Sequence, residues 1–173
     1  MAQTPAPSRG HHTTGGEASA DDLTGLAVYI GRSDPEPAIH ATEVEIRSQM
    51  DQLAGLRSCI KAFCAALAPA PSAEDVQAMQ LAVHEAATNV VRHAYKMRPD
   101  GPIWLQLQAF DDRITLRLVH TGESFDPDLV DPPDFSGQRE GGFGIYIISQ
   151  LMAQASYEQD EQGRQVVRLV KTR

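Results

Sequence analysis

The stretch SAEDVQAMQLAVHEAATNVVRHAY, residues 72–95, decides how this chain folds. Its first residue, Ser72, stands three positions before Asp75, a spacing typical of a helix N-terminus in which the serine hydroxyl caps a backbone N–H. Apolar residues then recur at helical spacing along one narrow face, at Val76, Met79, Val83, Ala87, Val90 and Ala94. The pattern predicts one amphipathic helix that runs from Ser72 to about Tyr95.

Two polar residues of this helix have the chemistry of a functional site. Glu85 and Asn89 are four residues apart, so they share a face, and that face lies roughly opposite the apolar stripe. A carboxylate can accept a proton, and an amide oxygen can coordinate Mg²⁺. An ordinary solvated helix face has the same composition, so the pair alone leaves both interpretations open.

A strand and another helix are predicted upstream. The residues Thr42, Val44 and Ile46 alternate with two glutamates, which indicates a strand. Ser48 and Asp51 then have the spacing of a capping box, and the helix that they start is expected to end before Pro69. Residues 1–36 are rich in small and polar residues, so they are predicted to be a disordered tail before a single domain over 37–173.

A hairpin, a loop, a third helix and a final hairpin are predicted downstream. Alternation over 103–107 and 114–118 indicates two antiparallel strands. Residues 125–138 show no period and have the length of a functional loop that closes over a site. The apolar stretch 145–152 is expected to form a helix, and two strands are expected within 157–170. This order predicts an α+β fold, a two-layer α/β sandwich whose mixed, mainly antiparallel sheet has its helices on one face.

Charge and hydropathy exclude several functions. The 173-residue chain has a formal net charge of -8, which argues against nucleic acid as a partner because phosphate contacts need clustered basic residues. No apolar run reaches the ~18 residues that span a membrane, and the N-terminus has no apolar signal core, so a cytoplasmic protein without a membrane partner is expected. A phosphorylated ligand would have to be held by local backbone dipoles.

Two more positions are candidates for a ligand site. Strand alternation directs His120 into the interior, just before Gly122, which could serve a turn or let a flat ligand approach the backbone. The run Gly141-Gly142-Phe143-Gly144 stands before a predicted helix, where exposed N–H groups and the helix dipole favour an anion. Taken singly, a buried core histidine and a flexible loop end explain these features as well. Together with Glu85 and Asn89, they could close one nucleotide site.

Three motifs resemble those of the GHKL ATPase superfamily, and above all those of its anti-sigma-factor serine kinases. LAVHEAATNVVRHAY, residues 81–95, resembles their N box. TGESFDP, residues 121–127, is similar to their first glycine box, and EGGFGIYII, residues 140–148, to their second. The resemblance covers about 38–171 and implies the Bergerat-type ATP-binding fold.

The resemblance implies a role for each matching residue. Glu85 corresponds to the catalytic base toward a substrate serine, and Asn89 to the ligand of a Mg²⁺ ion that bridges the phosphates of ATP. Gly142 and Gly144 correspond to glycines at the triphosphate, and Gly122 to the glycine beside adenine. Further positions implied in cofactor binding are His93, His120, Asp126, Gly141, Ile145 and Gln165.

The partners that the resemblance implies are those of a partner-switching pathway. The substrate would be a serine of a STAS-domain antagonist, and the protein held back would be a sigma factor or another regulated protein. A homodimer is implied as well. A histidine-kinase catalytic domain is a weaker alternative, since the tail before the domain is short and polar.

Two departures from the family pattern concern the adenine site. His120 stands where the family has an aspartate that accepts a hydrogen bond from the adenine amino group, and Gln165 stands where it has a threonine. A neutral imidazole can accept one hydrogen bond, but a protonated one cannot, so nucleotide binding is expected to weaken below about pH 6.5. The departures leave open a non-catalytic binding module that keeps the fold and sequesters its partner without ATP.

Overall fold

The computed structural model describes residues 36–124 and 142–173. In these ranges the chain forms five β-strands, three α-helices, one short 3-10 helix and one π-helical turn. In chain order they are β1 (His40–Arg47), the 3-10 helix (Met50–Gln52), α1 (Leu53–Ala65), α2 (Ala73–Asn89), the π-helical turn (Val90–Ala94), β2 (Pro102–Ala109), β3 (Arg113–His120), α3 (Phe143–Leu151), β4 (Gln154–Gln159) and β5 (Gln165–Thr172).

The strands form one sheet in the order β1-β2-β3-β5-β4. All four strand pairings are antiparallel, so the prediction of a mixed sheet is wrong for the described residues. Neighbours in sequence pair directly except where α3 and β4 are inserted between β3 and β5. As a result the end of β3, at His120, lies beside the start of β5, at Gln165.

One face of the sheet packs against the helices. Every second residue of β2 is completely buried on this face, namely Ile103, Leu105, Leu107 and Ala109. They join one apolar cluster with residues of α1 and α2, among them Leu56, Met79 and Val83. The two-layer sandwich with its helices on one face is therefore confirmed, as is the α+β class.

The central helix begins as the sequence predicts and ends differently. The Ser72 hydroxyl accepts a hydrogen bond from the backbone N–H of Asp75 at 3.0 Å, which caps α2. The α-helical hydrogen bonds stop at Asn89, and the final turn, Val90–Ala94, is π-helical. A π-turn widens the helix locally and is frequent at functional sites.

The predicted capping box at Ser48 and Asp51 is wrong. Ser48 is 1% exposed, and its hydroxyl donates to the backbone carbonyl of Arg98 and accepts from the backbone N–H of Gly101 at 2.9 Å. The serine therefore joins the end of β1 to the turn before β2. A hydroxyl can satisfy a distant turn as well as a local helix end, and spacing alone does not distinguish the two.

Several predicted features lie outside the described residues. They are the disordered tail, apart from Glu36, and the loop over 125–138, so both stay predictions. In the two described ranges, none of the helices has the length and hydropathy needed to cross a bilayer.

The core makes a specific prediction for two leucines. Leu116 of β3 is 1% exposed and pairs with Leu107 and Leu169, whereas Leu81 of α2 is 40% exposed. We expect Leu116→Ala to lower the free energy of unfolding by about 2–5 kcal/mol, because it leaves a cavity. Leu81→Ala should change it by less than about 1 kcal/mol. Urea denaturation of the two variants measures both, and equal losses would contradict the assignment of the core.

Candidate functional site

Glu85, Asn89 and Gly144 meet where the start of α3 crosses α2. A Cβ atom built on Gly144 would lie 3.2 Å from Glu85 Oε2, 3.4 Å from Asn89 Nδ2 and 3.7 Å from Asn89 Oδ1. The first distance is shorter than an ordinary van der Waals contact, so a side chain at position 144 would push against the carboxylate. Glycine lets α3 approach both polar groups with its backbone.

The face that carries Glu85 and Asn89 is not the solvated face of α2. Both residues are half-buried, and their neighbours Ala82 and Ala86 are at most 1% exposed. The expectation that the pair lies opposite the core is therefore wrong. The buried surface of α2 is wider than the predicted stripe because α3 covers the flank beside the sheet-facing residues.

The first turn of α3 has the properties of an anion-binding helix terminus. Gly142 precedes the helix with a φ of 77°, a left-handed conformation that glycine adopts without strain. The N-cap residue is this glycine, which has no side chain with which to cap the helix. The first N–H groups of an α-helix have no acceptor within the helix, and the helix dipole adds partial positive charge at this end.

His120 lies at the end of β3 on the helix-facing side, as strand alternation predicts. It is 2% exposed, and its Nδ1 atom is buried without a hydrogen-bond partner among the described residues. Burial lowers its pKa from 6.5 to about 4. The imidazole therefore stays neutral well below pH 6.5, and the expectation that its protonation weakens binding at that pH is wrong.

Gln165 is the cross-strand neighbour of His120, and it is half-buried. The two departures from the family pattern are thus adjacent in space. A small cleft at this end of the sheet is lined by His120, Tyr157, Glu158, Gln165, Val166 and Val167. Its one carboxylate, Glu158, accepts a hydrogen bond from Ser156 at 2.5 Å.

Gly122 packs against the end of the helical segment. A Cβ atom there would lie 2.8 Å from the carbonyl oxygen of Ala94, which is too close for any other residue without a backbone shift. The next residue, Glu123, donates its backbone N–H to the same carbonyl at 3.0 Å. Gly122 therefore lets the chain after β3 dock onto the π-helical turn.

Tyr95 has a positioning role that sequence reasoning missed. Its hydroxyl donates to the carbonyl of Pro102 at 2.6 Å and accepts from the N–H of Thr121 at 3.0 Å. Its ring also meets the ring of His120 edge-on, with 5.9 Å between centroids. One buried phenol thus holds together the end of the helical segment and the ends of β2 and β3. Its only signal in the sequence is an aromatic residue at the predicted end of the helix.

The remaining predicted positions are more dispersed. His93 is exposed on the π-helical turn, and Ile145 is half-buried in the first turn of α3. Asp126 and Gly141 lie outside the described residues. The described contacts form two groups, Gly144 with Glu85 and Asn89, and His120 with Gln165 and Tyr95. The helical segment through Asn89 and Ala94 connects these groups over about 7 Å.

The residues present fit a magnesium nucleotide. The glycine-flanked start of α3 suits a phosphate, and the Gly144 backbone lies against the carboxylate and the amide that would accept a proton and hold the metal. Among the described residues no three His, Cys, Asp or Glu side chains are grouped to hold a metal by themselves. A Mg²⁺ ion at Asn89 would complete its coordination with phosphate oxygens and water.

Comparison with known proteins gives a family and two related enzymes. The family described as Histidine kinase-like ATPase domain matches residues 46–171. A serine-protein kinase RsbW of Staphylococcus epidermidis is 39% identical over 90 residues, which cover 47% of this chain and 57% of that protein. An RsbW of Listeria monocytogenes is 33% identical over 98 residues, covering 52% and 62%. The chain thus spans less than two thirds of the length of each relative.

A solved structure shares the fold. The crystal structure of the RsbU and RsbW domains of Rv1364c from Mycobacterium tuberculosis superimposes with a TM-score of 0.54 and 14% identity. The superposition covers 78% of this chain and 33% of the other. At this identity the likeness supports the two-layer architecture alone.

The buried imidazole predicts a pH-dependent stability. The unfolded chain binds a proton at His120 near pH 6.5, whereas the folded chain binds it only near pH 4. The free energy of unfolding contains the full contribution of the neutral imidazole above pH 6.5. This contribution is lost as the pH falls toward 4, and the total loss is roughly 3 kcal/mol. Urea denaturation between pH 7.5 and 4 should show this drop in the free energy of unfolding for the wild type. For His120→Asn the drop over the same pH range should be smaller by roughly 3 kcal/mol. Parallel curves for the two proteins would contradict the neutral buried imidazole.

Proposed function

The chain belongs to the histidine kinase-like ATPase domain family, and from that premise we propose that it is an ATP-dependent serine kinase and anti-sigma factor. The observation that carries the proposal is the close approach of Gly144 to Glu85 Oε2 and Asn89, since a Cβ atom at position 144 would lie 3.2–3.7 Å from their polar atoms. A proton acceptor, a metal ligand and a phosphate-binding helix terminus at one point suit phosphoryl transfer, which depends mainly on positioning and electrostatics.

Each residue of the candidate site has a proposed role. When bound, ATP supplies the phosphoryl group and Mg²⁺ offsets its negative charge. Glu85 orients the serine hydroxyl of the substrate and takes its proton. Asn89 holds the metal through its amide oxygen, and Gly142 and Gly144 let the backbone of α3 bind the phosphates. Gly122 keeps the floor of the nucleotide site close to α2.

The proposed partners follow from the relatives. Proteins named serine-protein kinase RsbW match this chain over about half its length, which supports a protein serine as the substrate. We propose that this serine belongs to a STAS-domain antagonist, that a sigma factor or another regulated protein is sequestered, and that the kinase acts in the cytoplasm as a homodimer.

A second candidate function has its own supporting observation. His120 puts a neutral imidazole, and Gln165 beside it a neutral amide, where the family pattern has an aspartate and a threonine. The loss of a charge-assisted hydrogen bond lowers nucleotide affinity by roughly ten- to a hundredfold. A protein weakened to this extent would work as a binding module that sequesters its partner without ATP.

Removal of the proposed base tests the kinase. We expect Glu85→Gln to slow phosphate transfer from Mg-ATP to the STAS partner by about 10²- to 10⁴-fold, because the amide cannot take the serine proton. Glu74→Gln makes the same change at an exposed position in the first turn of α2 and should leave the rate unchanged. Radiolabelled ATP measures the transfer. Equal rates in wild type and Glu85→Gln would reject Glu85 as the base.

Calorimetry with Mg-ATP separates the two candidate functions. The kinase proposal predicts a binding signal that Asn89→Ala weakens by about ten- to a hundredfold, since a ligand of the metal is lost. Gln77→Ala removes an amide from an exposed position of the same helix and should bind like wild type. A tight complex with the partner and no heat from Mg-ATP in any variant would favour the binding module.

A further inference from the structure

The face of the sheet that points away from the helices, here called the open face, has a buried centre. Strand alternation puts Thr115, Val119, Val166 and Val170 on this face, and each of them is at most 5% exposed. The three valines are not part of the apolar cluster that joins the sheet to α1 and α2. The described helices pack on the opposite face, so they do not account for this burial.

One polar group in this centre lacks a hydrogen-bond partner. Oγ1 of Thr115 is buried, and no atom of the described residues pairs with it. Val119 lies beside Trp104, whose ring is covered by the guanidinium of Arg164 at 5.5 Å from the ring centroid. Thr115 is four residues away along β3, at about 13 Å. Because buried polar atoms are almost always paired, the hydroxyl indicates that a further segment covers this part of the open face.

The open face also carries positive charge. Arg117 stands directly across from Arg168, and like charges in this position repel each other. The guanidinium of Arg117 donates to the amide oxygen of Gln106 at 3.1 Å, and among the described residues no carboxylate pairs with it. The nearby carboxylate of Glu43 accepts from Gln106 instead. A depression of about 370 Å³ beside Arg117 leaves room for an acidic group there.

The chain enters the described range at this face. Glu36 is the first described residue, and its carboxylate pairs with Arg113 at 3.3 Å. Arg113 alternates with the residues at 115 and 117 of β3, so it belongs to the open face. Residues 1–35 are therefore tethered at one end of this surface. A tethered segment has an effective concentration in the millimolar range, and a second copy or another protein would have to compete with it.

The segment 21–34 has a composition that fits the open face. Apart from Met1, the large aliphatic and aromatic residues of 1–35 all lie in the run LTGLAVYI, residues 23–30. Three aspartates and one arginine flank this run, which gives the segment a net charge of -2. Ile30 stands six positions before Glu36, and six residues reach at most about 20 Å, which is the length of β3 from Arg113 to Val119.

We propose that residues 21–34 dock on the open face of the sheet, with the apolar run over the buried valines and the aspartates beside Arg117. The backbone of the run then supplies the missing partner of Thr115 Oγ1. The compositional argument for disorder applies to residues 1–20 alone. A docked segment also keeps a second copy away from this face, so the homodimer proposed above would form through another surface.

Trp104 reports on the open face, because it is the one tryptophan of the chain and is half-buried beside Val119. We expect Leu26→Asp combined with Val28→Asp, made in the full chain, to release the segment, since carboxylates are unfavourable among valines. The emission of Trp104 should then shift to longer wavelength, and its quenching by acrylamide should increase. Ala18→Asp combined with Ala20→Asp adds the same charges at the same spacing outside the segment and should leave both measurements unchanged.

A charge reversal on the sheet gives a second variant. Arg117→Glu should shift the emission and increase the quenching in the same directions, because it repels the aspartates of the segment. Arg57→Glu makes the same reversal at an exposed position of α1 and should behave like the wild type. Circular dichroism shows whether Arg117→Glu folds, and if it does not, the variants of the segment decide the question.

Three outcomes would overturn the proposal. The first is a Leu26→Asp, Val28→Asp variant whose emission and quenching match those of the wild type. The second is an equal change in the Ala18→Asp, Ala20→Asp control. The third is wild-type quenching that falls as the protein concentration rises, which would assign the open face to a second copy. None of these measurements needs a nucleotide, so they leave the test of the kinase independent.

Discussion

The close packing of α3 on the flank of α2 is the contact on which the rest of the site depends. Gly144 leaves room for it, since a Cβ there would lie 3.2 Å from Glu85 Oε2, closer than an ordinary contact, and would touch Asn89 Nδ2 at 3.4 Å. The opposite flank and the core face of α2 are held by α1 and the sheet through Met79 and Val83. The helix therefore cannot move away from α3 without disrupting the core, and close packing keeps the two polar groups in place.

Unmet hydrogen bonds and unfavourable backbone conformations gather at the other end of α2. The helix ends in a π-turn, and the next residues, Lys96 and Met97, have φ values of 52° and 62°. Beside them lies His120 with its orphaned Nδ1. The two left-handed residues and the unpaired nitrogen each cost about 1–3 kcal/mol, and the contacts of Tyr95 with Pro102, Thr121 and His120 hold this end of the helix in place. Such concentrations of unfavourable features are typical of binding sites.

The spacing of apolar residues in the sequence was sufficient to predict the helices and strands, but it did not predict all of the contacts between them. The alternation in β2 and β3, the apolar stripe of α2 and the Ser72 cap are local signals, and the structure confirms them. Ser48 failed as a cap because its partners, Arg98 and Gly101, are about 50 residues away in sequence. The flank of α2 that carries Glu85 and Asn89 was predicted to face solvent, because the sequence of α2 does not indicate that α3 covers it.

By itself, the sequence determined which residue types carry the chemistry. The sequence contains the four features at recognisable spacings: a carboxylate, an amide, a glycine-rich helix start and a histidine at a strand end. Only the tertiary structure decided that Gly144 meets Glu85 and Asn89, that Tyr95 joins three element ends, and that His120 is neutral. Spacing specifies one helix or strand at a time, whereas burial and the pKa of His120 depend on surfaces brought together from distant parts of the chain.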